Sequence, residues 1–232
     1  MSSNHSGVLY PLRKSAAGSA DRNKGPILSV VGPLLDDLYG SRPLSRKNLR
    51  ILELASGEGR QVAHIASKLP TYDFHPSEAD EASCAQIDDV VASTTPPLAN
   101  VQKAKLLRIE EPDDWRIATR QRPVDAVFAF NLVHIAPWEV TQCLFEMVAN
   151  PEVLADDGIA ALYGAWNERG QFTSDGNREF DAVLKGRDAR FGLRDVDSEL
   201  VPLAKKHGFL LTQRTEMPAG NLFLVFRKQQ LP

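Results

Sequence analysis

The sequence has little of several things, and each shortage excludes a class. It holds two cysteines, Cys84 and Cys143, in 232 residues. So few leave no disulfide framework, and both fall in helix-like segments, which points to a reducing compartment. No run approaches the ~20 apolar residues a membrane-spanning helix needs. The start, Met1-Ser2-Ser3-Asn4-His5-Ser6-Gly7, lacks a basic-then-apolar leader pattern. Together these predict a cytoplasmic protein with no membrane partner. Charge of one sign is also lacking: the net charge is −3 with 25% charged residues. That balance provides no field for a nucleic-acid backbone and favours a small-molecule partner. Repeats and low-complexity tracts are absent as well, while the oligomeric state stays undetermined, a homodimer included.

What is present is an ordinary globular composition, 43% apolar, at a length suited to one generous α/β unit. Residues 1–20 read as a mobile, Ser- and Gly-rich arm, and 21–232 as a single domain. Pro26 is expected in the first turn of a helix over 26–40, carried by Ile27, Val30, Val31, Leu34 and Leu35. Gly40 and Pro43 bracket the loop that follows.

Strands are expected at Arg50–Leu54, Thr71–Pro76, Val101–Ile109, Val124–Phe130 and Ile159–Gly164, with helical faces between them. The charges of Lys103, Lys105 and Arg108 place the third of these at a sheet edge. After a polar segment over about 165–196, read as a cap with a helix near Arg178–Leu184, a helix over 199–207 stops at Gly208. Strands near Phe209–Leu211 and Leu222–Phe226 close the chain. Alternation of this kind predicts a doubly wound, mostly parallel, seven-stranded α/β sheet with an antiparallel C-terminal strand. Its ligands bind at the carboxyl ends of the central strands.

Three features fall at that edge. Glu53-Leu54-Ala55-Ser56-Gly57-Glu58-Gly59 leaves the first strand through a turn that lets a ligand approach the backbone. The dinucleotide pattern Gly-x-Gly-x-x-Gly is absent. Glu78, 25 residues beyond Glu53, ends the second strand, where a carboxylate can accept both hydroxyls of a ribose. Asn131 and His134 follow the fourth strand. Each has a plainer reading: glycine for steric turning, Glu78 or Asp80 as a helix cap, His134 as a hydrogen-bonded structural histidine, Trp115 and Trp138 as packing. Their convergence on one edge favours a nucleoside site.

The loop resembles the first motif of class I S-adenosylmethionine-dependent methyltransferases, with Ala55 at the first glycine position. Longer pieces resemble the methyltransferase-like protein 26 family, also called DUF938 or UPF0585. They include Arg22-Asn23-Lys24-x-Pro26, Leu52-Glu53-x-Ala55-Ser56-Gly57-x-Gly59, Pro76-Ser77-Glu78, Asn131-x-x-His134-Ile135-x-Pro137-Trp138-Glu139, Leu162-Tyr163-Gly164, Phe172-Thr173-Ser174, Asn177, Phe180-Asp181 and Gly192-x-Arg194-Asp195. The resemblance covers about residues 20–228.

It implies S-adenosyl-L-methionine as cofactor, held by Arg22, Asn23, Glu53, Ala55, Gly57, Gly59, Glu78 and Asn131, and needs no metal. It also implies catalysis by His134 and Asn131, with Trp138, Tyr163 and Asn177 on the substrate. The expected function is methylation of an oxygen or nitrogen of a small molecule in natural-product biosynthesis. A cyclase or isomerase on the same fold, or a non-catalytic binding protein, are the other readings. Relatives place an acid after the third strand, where this chain has Leu107-Arg108-Ile109. Glu58 and Gly220 depart from the family as well.

Overall fold

A computed structural model describes residues 18–42, 48–119 and 122–229. The expected arm falls almost wholly outside them, as does Pro43. The first helix, α1 (Ser19–Gly40), begins about two turns before Pro26, so Pro26 and Pro33 both lie inside it. The expectation that Pro26 opens the helix is therefore corrected. Each internal proline removes one i→i−4 hydrogen bond. Burial of Ile27, Val31, Leu34, Leu35 and Leu38 along one face carries the helix through both.

Next come β1 (Arg50–Leu54), α2 (Arg60–Lys68), β2 (Asp73–Glu78), α3 (Glu81–Ala92), β3 (Lys105–Leu106), α4 (Pro112–Thr119), β4 (Val124–Phe130) and α5 (Trp138–Ala149). The chain continues with β5 (Leu154–Ala165), a hairpin of β6 (Asn167–Glu168) and β7 (Gln171–Phe172), α6 (Asp175–Arg187) and α7 (Val201–Lys206). It ends with β8 (Phe209–Met217) and β9 (Asn221–Lys228). Gly208, left-handed at φ 79°, stops α7 as its position predicts.

The main sheet has seven strands in the order β3-β2-β1-β4-β5-β9-β8, with β9 antiparallel to both neighbours. This is the doubly wound, mostly parallel sheet expected. Alternate residues feed opposite layers: Leu52, Leu54 and Val127 face the core under α5 and α7, while Ile51, Ala126 and Phe128 face the core under α1 and α2.

The third strand is far shorter than the expected 101–109. Phe74 N–H donates to Asn100 O at 2.9 Å, and the ladder resumes at Ser77↔Lys105 and Glu78↔Leu106. Between them β2 presents Pro76, which has no N–H to give, so the pairing lapses. The edge position is as expected.

At the amino end of the sheet Asp125 is fully buried. It accepts Arg50 N–H and Arg122 Nη1 at 3.0 Å each and lies 3.7 Å from Arg42. This charged knot pins β1 to β4 at the edge remote from the candidate site. Among the described residues no helix is long and apolar enough to cross a membrane.

Candidate active site

Strand order reverses between β1 and β4, whose carboxyl ends are neighbours through the pair Leu54↔Ala129. A crevice opens at such a point. Both strands leave it through a left-handed residue that is not glycine, Ala55 at φ 51° and Asn131 at φ 57°. A left-handed L-residue costs about 1–2 kcal/mol, and strain of this kind gathers at functional sites.

The loop after β1 is held from beneath. Ser56 N–H donates to Ser77 O at 2.9 Å, the Ser77 hydroxyl to Glu53 O at 2.8 Å, and Gly59 N–H closes back to Ser56 O at 3.0 Å. Gly59, at φ 75°, fits closely on α3, since a Cβ there would stand 3.0 Å from Ile87 Cγ2. Gly57, at φ 60°, is different: a Cβ there would meet nothing within 4 Å. Its face is open for a ligand to lie against the backbone.

Two acids attend this loop. Glu78 Oε1 accepts Gly57 N–H at 2.8 Å and Oε2 accepts Ala79 N–H at 2.9 Å. A carboxylate oxygen can accept more than one hydrogen bond, so the type of group suits a ligand hydroxyl. Glu53 is only 3% exposed, and its Oε2 is buried without a hydrogen-bond partner. Burial pushes its carboxyl up to about 7, the Ser56 hydroxyl offsets part of that, and the Glu78 charge adds to it.

The start of α1 stands beside the same loop, because Asp21 reaches Arg60, the first residue of α2, at 4.0 Å. Arg22 and Asn23 ride on this segment. Arg108 does not stand free at the β3 end: Nε and Nη2 grip Asp114 at 2.7 and 3.0 Å, and its N–H also donates to Asp114 at 3.0 Å. Asp114, lowered mainly by the hydrogen bond from Arg108, neutralises the guanidinium locally.

Beyond β4, Asn131 N–H donates to Tyr163 O at 2.7 Å. His134 lies 5% exposed against Gly164, where a Cβ would come within 3.0 Å of Nδ1. Phe180 of α6 meets its ring edge-on at 5.3 Å. Burial pulls the imidazole down to about 4, with the nearby Arg194 charge adding to the effect. His134 is therefore neutral throughout the physiological range.

The other three expected residues have other surroundings. Tyr163 is buried in the core beneath α1, edge-on to Phe130, with its phenol pushed up to about 12 by burial. Asn177 spends its amide nitrogen on Thr173 Oγ1 at 2.7 Å and Gly220 O at 2.9 Å, tying α6 to the turn before β9. Trp138 packs on the α5 core and carries the Arg194 guanidinium 5.6 Å above its ring. Arg194 and Phe180 are the additions of the structure. Sequence offered the Gly192-x-Arg194-Asp195 and Phe180-Asp181 pieces of the family resemblance as pointers, with no role for either residue.

The sheet order, the switch-point loop and the acid after β2 define a class I methyltransferase fold. Over residues 14–228 the chain matches the family described as a protein of unknown function, DUF938, and it belongs to that family. It resembles an O-methyltransferase family protein from Burkholderia thailandensis at 10% identity and TM-score 0.65, over 92% of this chain and 60% of that one. It is similar to LepI in complex with SAM at 13% identity and TM-score 0.66, over 84% of this chain and 46% of that one. PKMT2 from Rickettsia typhi in complex with AdoHcy is similar at 12% identity and TM-score 0.61, over 89% of this chain and 53% of that one. This chain thus spans at most 60% of these three proteins' lengths, and at such identities the likeness is one of fold.

Proposed function

We propose that the protein is a cytoplasmic S-adenosylmethionine-dependent methyltransferase of the methyltransferase-like protein 26 (UPF0585) branch. It acts on an oxygen or nitrogen of a small molecule in natural-product biosynthesis. The observation that carries this reading is the buried, unpartnered Oε2 of Glu53, on the strand that leads into the turn with the open face of Gly57. An unmet polar group of that kind costs about 1–3 kcal/mol unless a ligand supplies its partner. The donor set fits the cofactor: Glu53 for a cationic group, Gly57 for close approach, Glu78 for ribose hydroxyls.

In this reading Glu53, Ala55, Gly57 and Gly59 shape the cofactor pocket, Arg22 and Asn23 flank it, and Glu78 holds the ribose. S-adenosylmethionine, when bound, supplies an electrophilic methyl group on a sulfonium. The protein's task is alignment and exclusion of water. Asn131 and His134 face the reacting end, His134 as a neutral acceptor whose burial under Phe180 keeps solvent out. Trp138 borders the acceptor, while Tyr163 and Asn177 support that site from beneath. The segment 165–196 serves as the cap of a single domain, 21–232.

Calorimetric titration with S-adenosylmethionine and S-adenosylhomocysteine tests this, with dissociation constants on the order of micromolar expected. Absence of binding by folded protein overturns it. A second reading, a non-methylating rearrangement, draws on the likeness to a solved structure described as a pericyclic reaction enzyme, at TM-score 0.66 and 13% identity. Product mass separates the two, since only methylation adds a CH₂ unit.

A further inference from the structure

Among the described residues, three half-buried arginines meet a carboxylate: Arg122 meets Asp125, Arg214 meets Glu168 and Asp197, and Arg227 meets Asp37. Arg194 does not. Its Nη2 donates to two carbonyls, Ala136 O at 3.4 Å and Arg190 O at 2.5 Å, and its Nε is buried without a partner. Glu199, Glu139 and Asp181 attract it only from beyond salt-bridge range among the described residues. Two of those acids are engaged elsewhere. Glu199 accepts Asp195 N–H at 2.7 Å, and Asp181 accepts Leu193 N–H at 2.8 Å and Lys185 Nζ at 2.7 Å. A desolvated guanidinium without a direct counter-ion is costly, and here burial pulls its pKa below the usual value.

The placement matters as much as the missing partner. Arg194 lies over the Trp138 ring, bonds the carbonyl just beyond His134, and stands near enough to His134 for its charge to bear on the imidazole. A planar cation, an indole face and the reacting-end histidine thus gather beyond β4. The planar fork of a guanidinium matches a carboxylate.

We propose that Arg194 is the binding group for a carboxylate on the acceptor, so that the molecule methylated is a small carboxylic acid arriving as its anion. This rests on the methyl-transfer reading above. One carboxylate oxygen forms the new bond to the methyl carbon while the methyl–sulfur bond breaks. The electron pair of that bond stays on sulfur, whose positive charge is cancelled. The product is a methyl ester and no proton is released. Such a nucleophile needs no general base, in keeping with a buried imidazole whose pKa is near 4. A neutral alcohol would need a stronger base than His134 provides.

The test is titration of benzoate and of its neutral counterpart benzamide, followed by tryptophan fluorescence, with and without saturating S-adenosylhomocysteine. Benzoate is expected to bind about tenfold more tightly than benzamide. R194Q is expected to reduce benzoate affinity to the benzamide level while S-adenosylhomocysteine affinity is unchanged. R194K, which keeps the charge, retains the preference for benzoate and guards against misfolding of the neutral variant. Equal binding of the two probes, no benzoate binding, or an unaltered preference in R194Q overturns the proposal. Failure of wild type to bind S-adenosylhomocysteine overturns the cofactor reading instead, and the benzoate titration without it keeps the two failures apart.

Discussion

The Glu78 carboxylate accepts the Gly57 N–H at 2.8 Å, so the acid that ends β2 is joined to the turn that ends β1. This bond fixes the open face of Gly57 relative to the place where a ribose would lie. Glu78→Gln keeps one oxygen for Gly57 but sets an NH₂ against the Ala79 N–H. We expect a loss of about 1 kcal/mol in stability, read by urea denaturation. S-adenosylhomocysteine affinity is expected to fall at least about tenfold, because a hydrogen bond to a charged group is worth about 1.5–3 kcal/mol. Unchanged affinity in the folded variant would remove Glu78 from the cofactor site.

Much of this edge was legible in the sequence because its logic is local. The strand, small-residue turn and helix at 50–68 announce themselves within one stretch, and Glu78 sits at a strand end that its own neighbours define. Pro26 misled for the converse reason: a rule about first turns gave way to an apolar face buried across the whole of α1. The short β3 required knowing which residue of β2 would face it, and Pro76 is invisible as a pairing defect until the register is known. Phe180 packs on His134, and Arg194 comes near enough for its charge to bear on it, through long-range placement that no spacing encodes. Asn177, expected on substrate, has its amide nitrogen taken by Thr173 and Gly220 for the same reason.

Glu53 and His134 make opposite contributions to the pH dependence of the ligand-free protein. Glu53 titrates higher folded than unfolded, about 7 against 4.5, so the stability it favours is complete below 4.5 and lost as pH rises toward 7. His134 titrates lower folded than unfolded, about 4 against 6.5, so its contribution is complete above 6.5 and lost as pH falls toward 4. The two slopes largely cancel over about pH 4.5–6.5. Glu53→Gln therefore exposes a loss of stability on acidification through this window. His134→Asn exposes the opposite trend, a loss as pH rises. At pH 8 Glu53→Gln is also expected to stabilise the ligand-free protein by up to about 3 kcal/mol, while weakening cofactor binding. Parallel thermal melts of the three proteins from pH 4.5 to 8 check the signs, and equal slopes in all three would show that neither group titrates as its burial requires.

Ala55 stands where backbone strain and function meet. Its φ of 51° places a methyl-bearing residue in the left-handed region directly after β1. Ala55→Gly removes a penalty of about 1–2 kcal/mol, offset by the greater freedom glycine brings to the unfolded chain, worth about 0.4–1 kcal/mol. We expect a net stabilisation of about 0.5–1 kcal/mol, measured by chemical denaturation without ligand. The loop then becomes less well fixed, so the same variant is expected to bind S-adenosylhomocysteine a few-fold more weakly: the methyl restricts the turn to the shape that keeps the Gly57 face open. Stabilisation accompanied by tighter binding would instead mean that the strain opposes the bound conformation, and that the loop must shift before the cofactor can be held.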